Sequence, residues 1–317
     1  MYYTHNLQIN SPRDFAATID ISLNELEDIA SRVPQMYSCY PKRRNGKTRI
    51  ITRPAGLLKH IQLCILNKIL RSVTLPEYIQ GGVAGRSYQQ NARIHTSACV
   101  VINNDISDFF PSVHQQYIYA VWENLFGFDE DLSLMATQLC TYRGGLPQGA
   151  PTSSHLSNLI FFAYEPTLYE TFQANGFRYS RYIDDITVSK ITRLLPGDEE
   201  FVTNTIDTLL GKYSLKANLA KREKMWKSER MKVNGLNVNG HVPTSPKANR
   251  KLLRSEVYEL VLASQKADRI DAESLIVKLA SVKGKLAAIR PLHQRFVDNS
   301  FAQLKPAQIA LNKILAD

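Results

Sequence analysis

Two adjacent acidic residues, Asp184 and Asp185, form the part of the sequence best suited to chemistry, in the tetrapeptide Tyr182–Asp185. A third carboxylate, Asp105, follows an apolar run much earlier in the chain. Carboxylate oxygens are ligands that Mg²⁺ prefers, and two such ions about 3.5–4 Å apart clamp both oxygens of an in-line displacement at phosphorus. The three aspartates are therefore candidate catalytic residues and metal ligands, with two Mg²⁺ ions as the predicted cofactors.

The residues on both sides of the acidic pair predict a β-hairpin with the aspartates at its bend. The flanks 177–182 and 186–188 are apolar and strand-like, and the run 99–102 before Asp105 has the same character. Adjacent like charges repel, so this arrangement costs stability unless a positive group lies beside it. A solvated turn is the usual explanation of an Asp-Asp pair, but it does not account for the other motifs of the chain.

Between the two acidic segments, a stretch rich in Gly and Pro at 144–154 predicts a loop followed by a helix. Residues 152–154 are candidate caps for a helix that begins near His155, and we expect Pro166 to kink or end that helix. A helix start presents backbone N–H groups, and the side chain of Gln148 can hydrogen-bond a base or sugar edge. This loop is a candidate nucleotide contact.

Other local signals predict helices that frame these motifs. Residues 22–25 form a capping box, which predicts a short helix ending before Pro34. Residues 57–70 read as an amphipathic helix with a purely structural apolar stripe. Residues 114–140 read as helical with a break near Gly127, and Asp129 is the expected cap of the second piece.

In their order and spacing, three of these segments resemble the motifs of reverse transcriptases. Residues 105–110 are similar to the first palm motif, 146–154 to the LPQGxxxS loop, and 182–185 to the YxDD box. The resemblance extends over 42–240, which is most of the chain. It implies an α/β (α+β) right-hand polymerase with fingers, an antiparallel-sheet palm and a C-terminal helical thumb. The expected division is 1–240 for fingers and palm and 241–317 for an RNA-binding thumb.

Two further segments resemble the signatures of retron reverse transcriptases. Residues 91–95 match their NAxxH signature, and residues 233–235 occupy the place of their VTG motif, with Asn where Thr is usual. The YxDD box also carries Ile183 where many retron enzymes have Ala. For His95, a structural role is the alternative to RNA contact. The resemblance makes these residues RNA-binding candidates: Asn91, His95, Val233, Asn234 and Gly235.

The retron resemblance implies RNA-directed DNA synthesis from dNTPs on a dedicated structured RNA that is both template and primer. In that family, synthesis starts from an internal guanosine 2′-OH and yields branched RNA–DNA, and a separate effector protein acts in phage defence. Two alternatives stay open. One is another defence-type or group II intron-like reverse transcriptase without 2′-OH priming. The other is an inactive RNA-binding scaffold, which the intact carboxylates disfavour because an idle acidic cluster would be a repulsive liability.

The resemblance also assigns basic residues to the incoming triphosphate. Asn45-Gly46 is a strong signal for a two-residue hairpin turn, and residues 49–52 look like the return strand. In reverse transcriptases the corresponding fingers hairpin closes over the triphosphate, so Lys47 and Arg49 are candidate contacts. An exposed basic hairpin that touches the template is the alternative.

Three more candidates contact the nucleotide in this interpretation. Phe110 lies where reverse transcriptases place an aromatic ring beneath the sugar C2′, whereas Phe109 is expected in the core because consecutive strand residues face opposite ways. Gln148 belongs to the loop described above. Lys221 lies in a segment that resembles the next palm motif, in which a lysine lies near the nucleotide, and a solvated basic face is the alternative.

Positive charge is concentrated in the C-terminal third of this 317-residue chain, whose net charge is +10. Residues 212–232 hold 8 basic and 2 acidic residues, and 241–317 hold 13 and 7, so residues 212–317 carry +12 and the rest −2. A basic part joined to an acidic catalytic part is typical of a polymerase that grips a phosphate backbone, although charge runs are often only solvated surface. Within the expected thumb, the RNA-binding candidates are Arg250, Lys251 and Arg254.

Composition predicts a cytoplasmic protein without a membrane partner or a zinc site. The hydrophobic content of 44% is enough for a large core, and no apolar run approaches membrane-spanning length. The N-terminus lacks a signal-peptide pattern. The four cysteines are isolated and show no C-x-x-C spacing, so neither zinc nor a structural disulfide is expected.

Overall fold

The computed structural model describes Tyr2, residues 7–44 and residues 46–316, without the side chains of Arg44 and Lys47. Within these ranges the chain is α+β, with antiparallel sheets and a helical C-terminal region, as predicted. The predicted Asn45-Gly46 turn includes Asn45, which lies outside the described residues. No helix in the described ranges is long and apolar enough to cross a membrane.

The N-terminal part carries helices and one hairpin. Its elements are α1 (Pro12–Thr18), α2 (Leu23–Arg32), β1 (Tyr37–Arg44), β2 (Lys47–Pro54), α3 (Gly56–Cys64) and a π-helical turn at Ile65–Ile69. The predicted cap of α2 is confirmed, because Ser22 Oγ accepts the N–H of Glu25 at 3.3 Å. β1 and β2 pair antiparallel along their whole length, and the predicted apolar stripe is buried by α3 and the π-helical turn together.

The following elements carry one correction to the predicted helices. They are α4 (Tyr88–Ile94), β3 (Val100–Asp105), α5 (Phe109–Ser112), α6 (Gln115–Ala120), α7 (Glu130–Cys140), α8 (Ser153–Leu159) and α9 (Glu165–Ala174). Asp129 caps α7 as predicted. The helix expected from near His155 begins instead at Ser153 and ends at Leu159, and Pro166 lies in the first turn of α9. A proline there leaves no hydrogen bond unmade, so the prediction that Pro166 kinks or ends a helix is wrong.

A four-stranded antiparallel sheet positions the acidic residues. β4 (Phe177–Tyr182), β5 (Asp185–Lys190) and β6 (Glu223–Trp226) join β3 in the order β4-β5-β3-β6, and α10 (Asp198–Lys212) lies between β5 and β6 in sequence. β4 and β5 are the predicted hairpin. The register pairs Asp105 at the end of β3 with Asp185 at the start of β5, so both acidic segments meet at one end of the sheet.

The C-terminal part packs around its own apolar cluster. A short hairpin of β7 (Lys232–Val233) and β8 (Leu236–Asn237) precedes α11 (Lys247–Ser264), α12 (Arg269–Ile289) and α13 (Gln294–Ala316). Val257, Leu286 and Leu304 lie in the cluster that the three helices share, which is distinct from the main core around the sheet. A third cluster joins the β7–β8 hairpin to α4 and β3.

A buried ion pair, Glu165 with Arg181, lies beneath the acidic hairpin. Both side chains are 0% exposed, and Arg181 Nε lies 2.6 Å from Glu165 Oε1. Tyr179 and Tyr2 each donate a hydroxyl hydrogen bond to the same carboxylate, at 2.7 and 2.9 Å. A buried charge is tolerated only when it is paired and its remaining acceptors are satisfied, and this carboxylate meets both conditions.

Arg181 also supports the turn that carries the aspartates. Its Nη1 donates to the side-chain oxygen of Asn158 at 3.0 Å and to the carbonyl of Ile183 at 3.2 Å. Its backbone pairs with a neighbouring loop, since its N–H donates to Tyr78 and its carbonyl accepts from Gln80, both at 2.8 Å. The turn therefore rests on a fixed cation that belongs to the core.

A second buried polar cluster joins the NAxxH-like segment to the sheet. His95 is 0% exposed, and its two ring nitrogens lie 2.8 Å from Ser189 Oγ and 2.7 Å from Ser180 Oγ. Burial, together with the nearby charge of Arg178, lowers the pKa of His95 to about 3. His95 and Asn91 are both 0% exposed and pack inside the fold in this conformation, and RNA contact by either residue stays a prediction.

Removing one partner of the buried ion pair should strongly destabilise the fold. We expect Glu165→Gln to lower the free energy of unfolding by about 3–5 kcal/mol, because Arg181 is left buried without a counter-charge. The exposed Asp28–Arg32 pair offers a matched control, and Asp28→Asn should cost less than about 1 kcal/mol. Urea unfolding of both variants measures the difference, and equal losses would contradict the structural role of the pair.

His95 should make the protein less stable in mild acid. Its folded pKa of about 3 lies below the unfolded value of about 6.5, so the unfolded chain binds more protons between these values and stability falls as pH falls. From pH 7 to pH 5 the loss from this residue should be about 2 kcal/mol. We expect His95→Gln to show a smaller stability difference between the two pH values in denaturant unfolding. An unchanged difference would show that His95 binds a proton as readily in the folded protein as in the unfolded chain.

Candidate active site

The three carboxylates meet at one end of the four-stranded sheet. Asp184 occupies the turn between β4 and β5, and Asp185 begins β5 directly opposite Asp105. The backbone crosses between the two acidic segments, since the N–H of Ile106 donates to the carbonyl of Asp184 at 3.0 Å. The hairpin predicted from the apolar, strand-like flanks is present, with the acidic pair at its bend.

The turn is tight because Ile183 adopts a left-handed conformation, with φ of 60°. Such a φ is strained for a β-branched residue and persists only where the surroundings hold it. Gly81 and Gly82 supply that support. A Cβ added at Gly81 would lie 2.6 Å from the backbone nitrogen of Ile183, and one at Gly82 would lie 2.9 Å from its Cδ1. The two glycines thus allow the loop to pack directly against the catalytic turn.

The acidic cluster has the electrostatic properties expected of a cation site. Burial raises the pKa of Asp185 to about 6, and the charges of Asp184 and Asp105 add to the effect. Burial likewise raises the pKa of Asp184, while Lys221 and Arg49 act in the opposite direction. Lys221 Nζ lies 2.7 Å from Asp105 Oδ1, and this hydrogen bond raises the pKa of Lys221. A lysine therefore neutralises part of the repulsion that the sequence implies.

The donor set fits a hard divalent cation that is shared with a substrate. Among the described residues, no three acidic, His or Cys side chains converge into a closed metal cage. Mg²⁺ is commonly held by only one or two carboxylates together with substrate phosphates. Asp105, Asp184 and Asp185 all line an open cleft of about 950 Å³, which leaves room for a phosphorylated ligand to complete the coordination.

Most nucleotide-binding candidates line the same cleft. Arg49, Phe110, Gln148 and Lys221 face it, whereas the side chain of Lys47 lies outside the described residues. Phe110 is half-buried and Phe109 is buried, as expected. Both lie in the short helix α5, so the argument that consecutive strand residues face opposite sides was wrong here.

The loop that carries Gln148 is braced against the fingers hairpin. The carbonyl of Gln148 accepts the N–H of Thr52 at 2.9 Å. Gly149, with φ of 122°, packs so closely on β2 that an added Cβ would lie 3.1 Å from the Thr52 carbonyl. Arg143 also lines the cleft and was missed by the sequence analysis. Its only sequence signal is a basic residue directly before the Gly144-Gly145 pair.

The segment that resembles VTG is a hairpin turn. Asn234 and Gly235 have φ of 45° and 77° and are the two residues between β7 and β8. A two-residue hairpin with positive φ at both positions favours Asn-Gly, which explains Asn where the family usually has Thr. Val233 is 1% exposed, Asn234 is half-buried and Gly235 is exposed, and RNA contact by these residues stays a prediction.

The thumb candidates lie at the start of α11. Lys251 and Arg254 are exposed, and the Arg254 guanidinium lies 5.5 Å from the ring centroid of Phe296. Arg250 is half-buried, and its charge contributes to lowering the pKa of His293, after burial. Lys251 and Arg254 are thus available to a ligand, whereas Arg250 is partly enclosed.

Comparisons with known proteins identify the family. The profile of the reverse transcriptase (RNA-dependent DNA polymerase) family matches residues 40–238. The retron Se72 reverse transcriptase of Salmonella heidelberg is 34% identical over 77% of this chain and 65% of its own length. The retron Ec48 reverse transcriptase of Escherichia coli is 28% identical over 84% of this chain and 68% of its own length. The chain therefore spans about two thirds of the length of these relatives.

Among solved structures, apo telomerase from Candida tropicalis is 11% identical, with a TM-score of 0.49 over 71% of this chain and 61% of that chain. The family assignment depends on the profile match, which covers more than half of the chain, and on the retron relatives. The chain belongs to the reverse transcriptase family, and its sequence is of the retron type.

Proposed function

We propose that this chain is an RNA-directed DNA polymerase that extends a primer on an RNA template. The observation that carries the proposal is the meeting of Asp105, Asp184 and Asp185 at the sheet end, facing a cleft that is also lined by Arg49 and Lys221. In the proposed reaction a primer hydroxyl attacks the α-phosphate of a dNTP, and pyrophosphate leaves in line. Acidic residues on one side and cations on the other suit this substrate.

Reverse transcriptases generally use divalent metal ions. We expect Asp105 and Asp184 to hold two Mg²⁺ ions, with Asp185 completing the cluster. When bound, the ions lower the pKa of the attacking hydroxyl and neutralise charge on the triphosphate. Lys221 is paired with Asp105, and an exchange of this partner for a cation would free the lysine ammonium to contact the leaving pyrophosphate.

The remaining cleft residues are proposed to position the nucleotide. Arg49, with Lys47 from the same strand, contacts the triphosphate. The half-buried ring of Phe110 lies beneath the sugar and disfavours a 2′-OH, and Gln148 bonds a base or sugar edge. The hydrogen bond from the Thr52 N–H to the Gln148 carbonyl joins this loop to the fingers hairpin.

RNA is the proposed partner of the basic C-terminal part. Residues 212–317 carry +12 and the rest −2, so the phosphate backbone is expected on the side of the thumb. Lys251 and Arg254 are exposed on α11, and Arg250 lies beside them. We propose 1–240 as fingers and palm and 241–317 as the thumb, in agreement with the separate apolar cluster of α11–α13.

We further propose retron-type synthesis, in which one structured RNA is both template and primer and an internal guanosine 2′-OH starts the cDNA. Similarity to several retron reverse transcriptases supports this choice over a group II intron-like or other defence-type enzyme. A cytoplasmic location, a separate effector protein and a role in phage defence belong to the same proposal.

Asp184→Asn should abolish DNA synthesis without harming the fold. We expect activity to fall by more than the roughly 10–100-fold seen when a residue that only orients a metal ligand is changed. Thermal stability without divalent cations should hold or rise, because one of three repelling charges is removed. Glu223→Gln, an exposed carboxylate of the same sheet, is the matched control.

Mg²⁺-dependent extension of a primed RNA template measures the activity, and retention of wild-type rates in Asp184→Asn would refute the assignment. If the wild-type protein binds RNA but extends no primer, the scaffold alternative replaces the proposal.

The protein purified from its native cell should carry branched RNA–DNA. A 2′-OH can act only if the RNA is folded so that one guanosine reaches the acidic cluster, and a basic thumb can fix that geometry by proximity. After RNase treatment the DNA should keep a ribonucleotide stub at a 2′ linkage, which debranching enzyme removes. The Asp184→Asn protein should carry RNA alone. Linear cDNA only, in an active preparation, would favour the alternatives without 2′-OH priming.

A further inference from the structure

The side chain of Asn234 lies between a buried amide and an acidic residue of the active site. Its Oδ1 accepts a hydrogen bond from Asn91 Nδ2 at 2.5 Å. Its Nδ2 donates to Asp185 Oδ2 at 3.3 Å. Two amides therefore form a continuous chain from α4, on the far side of the β7–β8 hairpin, to the acidic cluster.

The partners of Asn234 fix which end of its amide faces the carboxylate. An amide has one accepting and one donating end, and its orientation follows from its neighbours. Asn91 presents an N–H group, so the oxygen of Asn234 faces Asn91 and its NH₂ group faces Asp185. The reverse orientation would place an oxygen against a carboxylate. The carboxylate of Asp185 can only accept, so it sets the orientation of Asn234, and Asn91 is 0% exposed, so water does not compete for its contact with Asn234.

The backbone turn and two hydrogen bonds to backbone carbonyls hold the segments that carry the two asparagines in place. The turn at Asn234 is fixed by its left-handed φ of 45° and by the hairpin pairing on either side. Asn103 Nδ2 donates to the carbonyl of Lys232 at 2.9 Å, which ties the hairpin to β3 close to Asp105. On the other side, Tyr88 of α4 donates its hydroxyl to the Ala288 carbonyl of α12 at 3.1 Å. α4 thus connects the thumb with the chain of amides.

We propose that Asn234 and Asn91 are positioning residues that orient the Asp185 carboxylate for cation binding. The proposal rests on the polymerase function proposed above. A neutral donor on one oxygen of Asp185 offsets part of the repulsion from Asp184 and Asp105 and leaves the other oxygen free for a ligand. Thr at 234 has a hydroxyl donor but is strained at positive φ, whereas Asn satisfies both the turn and the carboxylate. Asn91 of the NAxxH-like segment therefore acts on the acidic cluster through Asn234.

The experiment distinguishes the hydrogen bond that the Asn234 amide donates from the backbone turn that Asn234 occupies. Asn234→Gly keeps the left-handed turn and removes the donor, and Asn234→Asp keeps the shape but replaces the donor with an acceptor. Equilibrium binding of Mn²⁺ to the full chain, followed by electron paramagnetic resonance, reports the cation site without any turnover. Primer extension then gives kcat and the KM for dNTP, and thermal unfolding and RNA affinity report the fold. Asn237→Ser, on the same hairpin, is the control, since no described hydrogen bond joins its side chain to the acidic cluster.

We expect Asn234→Gly to weaken Mn²⁺ binding about tenfold and to lower kcat, with unchanged KM, melting temperature and RNA affinity. Asn234→Asp should bind Mn²⁺ more weakly still, because an acceptor in place of the donor repels the Asp185 carboxylate out of its orientation. Asn91→Ala should also weaken Mn²⁺ binding, but it should add no further loss in the Asn234→Gly background, because both act through one contact.

Wild-type Mn²⁺ affinity and kcat in Asn234→Gly would overturn the inference while leaving the proposed function intact. A parallel loss of melting temperature and RNA affinity would also overturn it, because Asn234 would then be only a turn residue. If wild-type protein extends no primer, the proposed function fails, and Mn²⁺ binding still decides whether Asn234 orients Asp185.

Discussion

Three carboxylates of like charge are held together at the ends of two adjacent strands, and the surrounding structure counters their repulsion. Backbone pairing of β3 with β5 sets Asp105 against Asp185, and a carbonyl contact ties Asp184 to Ile106. Burial and mutual repulsion raise the pKa of Asp185 to about 6. Beneath the turn, the buried Arg181–Glu165 pair anchors the hairpin to the core, so the charges cannot move apart by shifting the strand.

The groups around the cluster are arranged to offset its charge in different ways. Lys221 pairs directly with Asp105, Asn234 donates a neutral N–H to Asp185, and Arg49 faces the cleft from the fingers hairpin. A direct ion pair can be exchanged for a metal ion, whereas a neutral donor can remain in place when the metal binds. Lys221 is therefore suited to leave Asp105 when a cation binds, and Asn234 is suited to keep its hydrogen bond to Asp185.

Local features of the fold were predictable from the sequence, and the family resemblance placed Asp105 with the distant Asp184 and Lys221, but other long-range contacts were not predictable. The acidic hairpin, the cap at Ser22 and the cap at Asp129 depend on neighbouring residues and were predicted correctly. The burial of His95 depends on Ser180 and Ser189, far along the chain, so the sequence could not separate its structural role from RNA contact. The dipeptide Asn234-Gly235 is a local turn signal, as Asn45-Gly46 is. The contact of Asn234 with Asp185 is long-range and could not be predicted from that signal.

The most direct test of the account is a crystal structure of the protein with primer, RNA template, a non-hydrolysable dNTP and Mn²⁺, whose anomalous signal locates the metal. The account predicts metal bound to oxygens of both Asp105 and Asp184 and to the triphosphate, with Lys221 displaced from Asp105 and the Asn234–Asp185 contact retained. Metal and triphosphate bound elsewhere, with the Lys221–Asp105 pair intact, would contradict it.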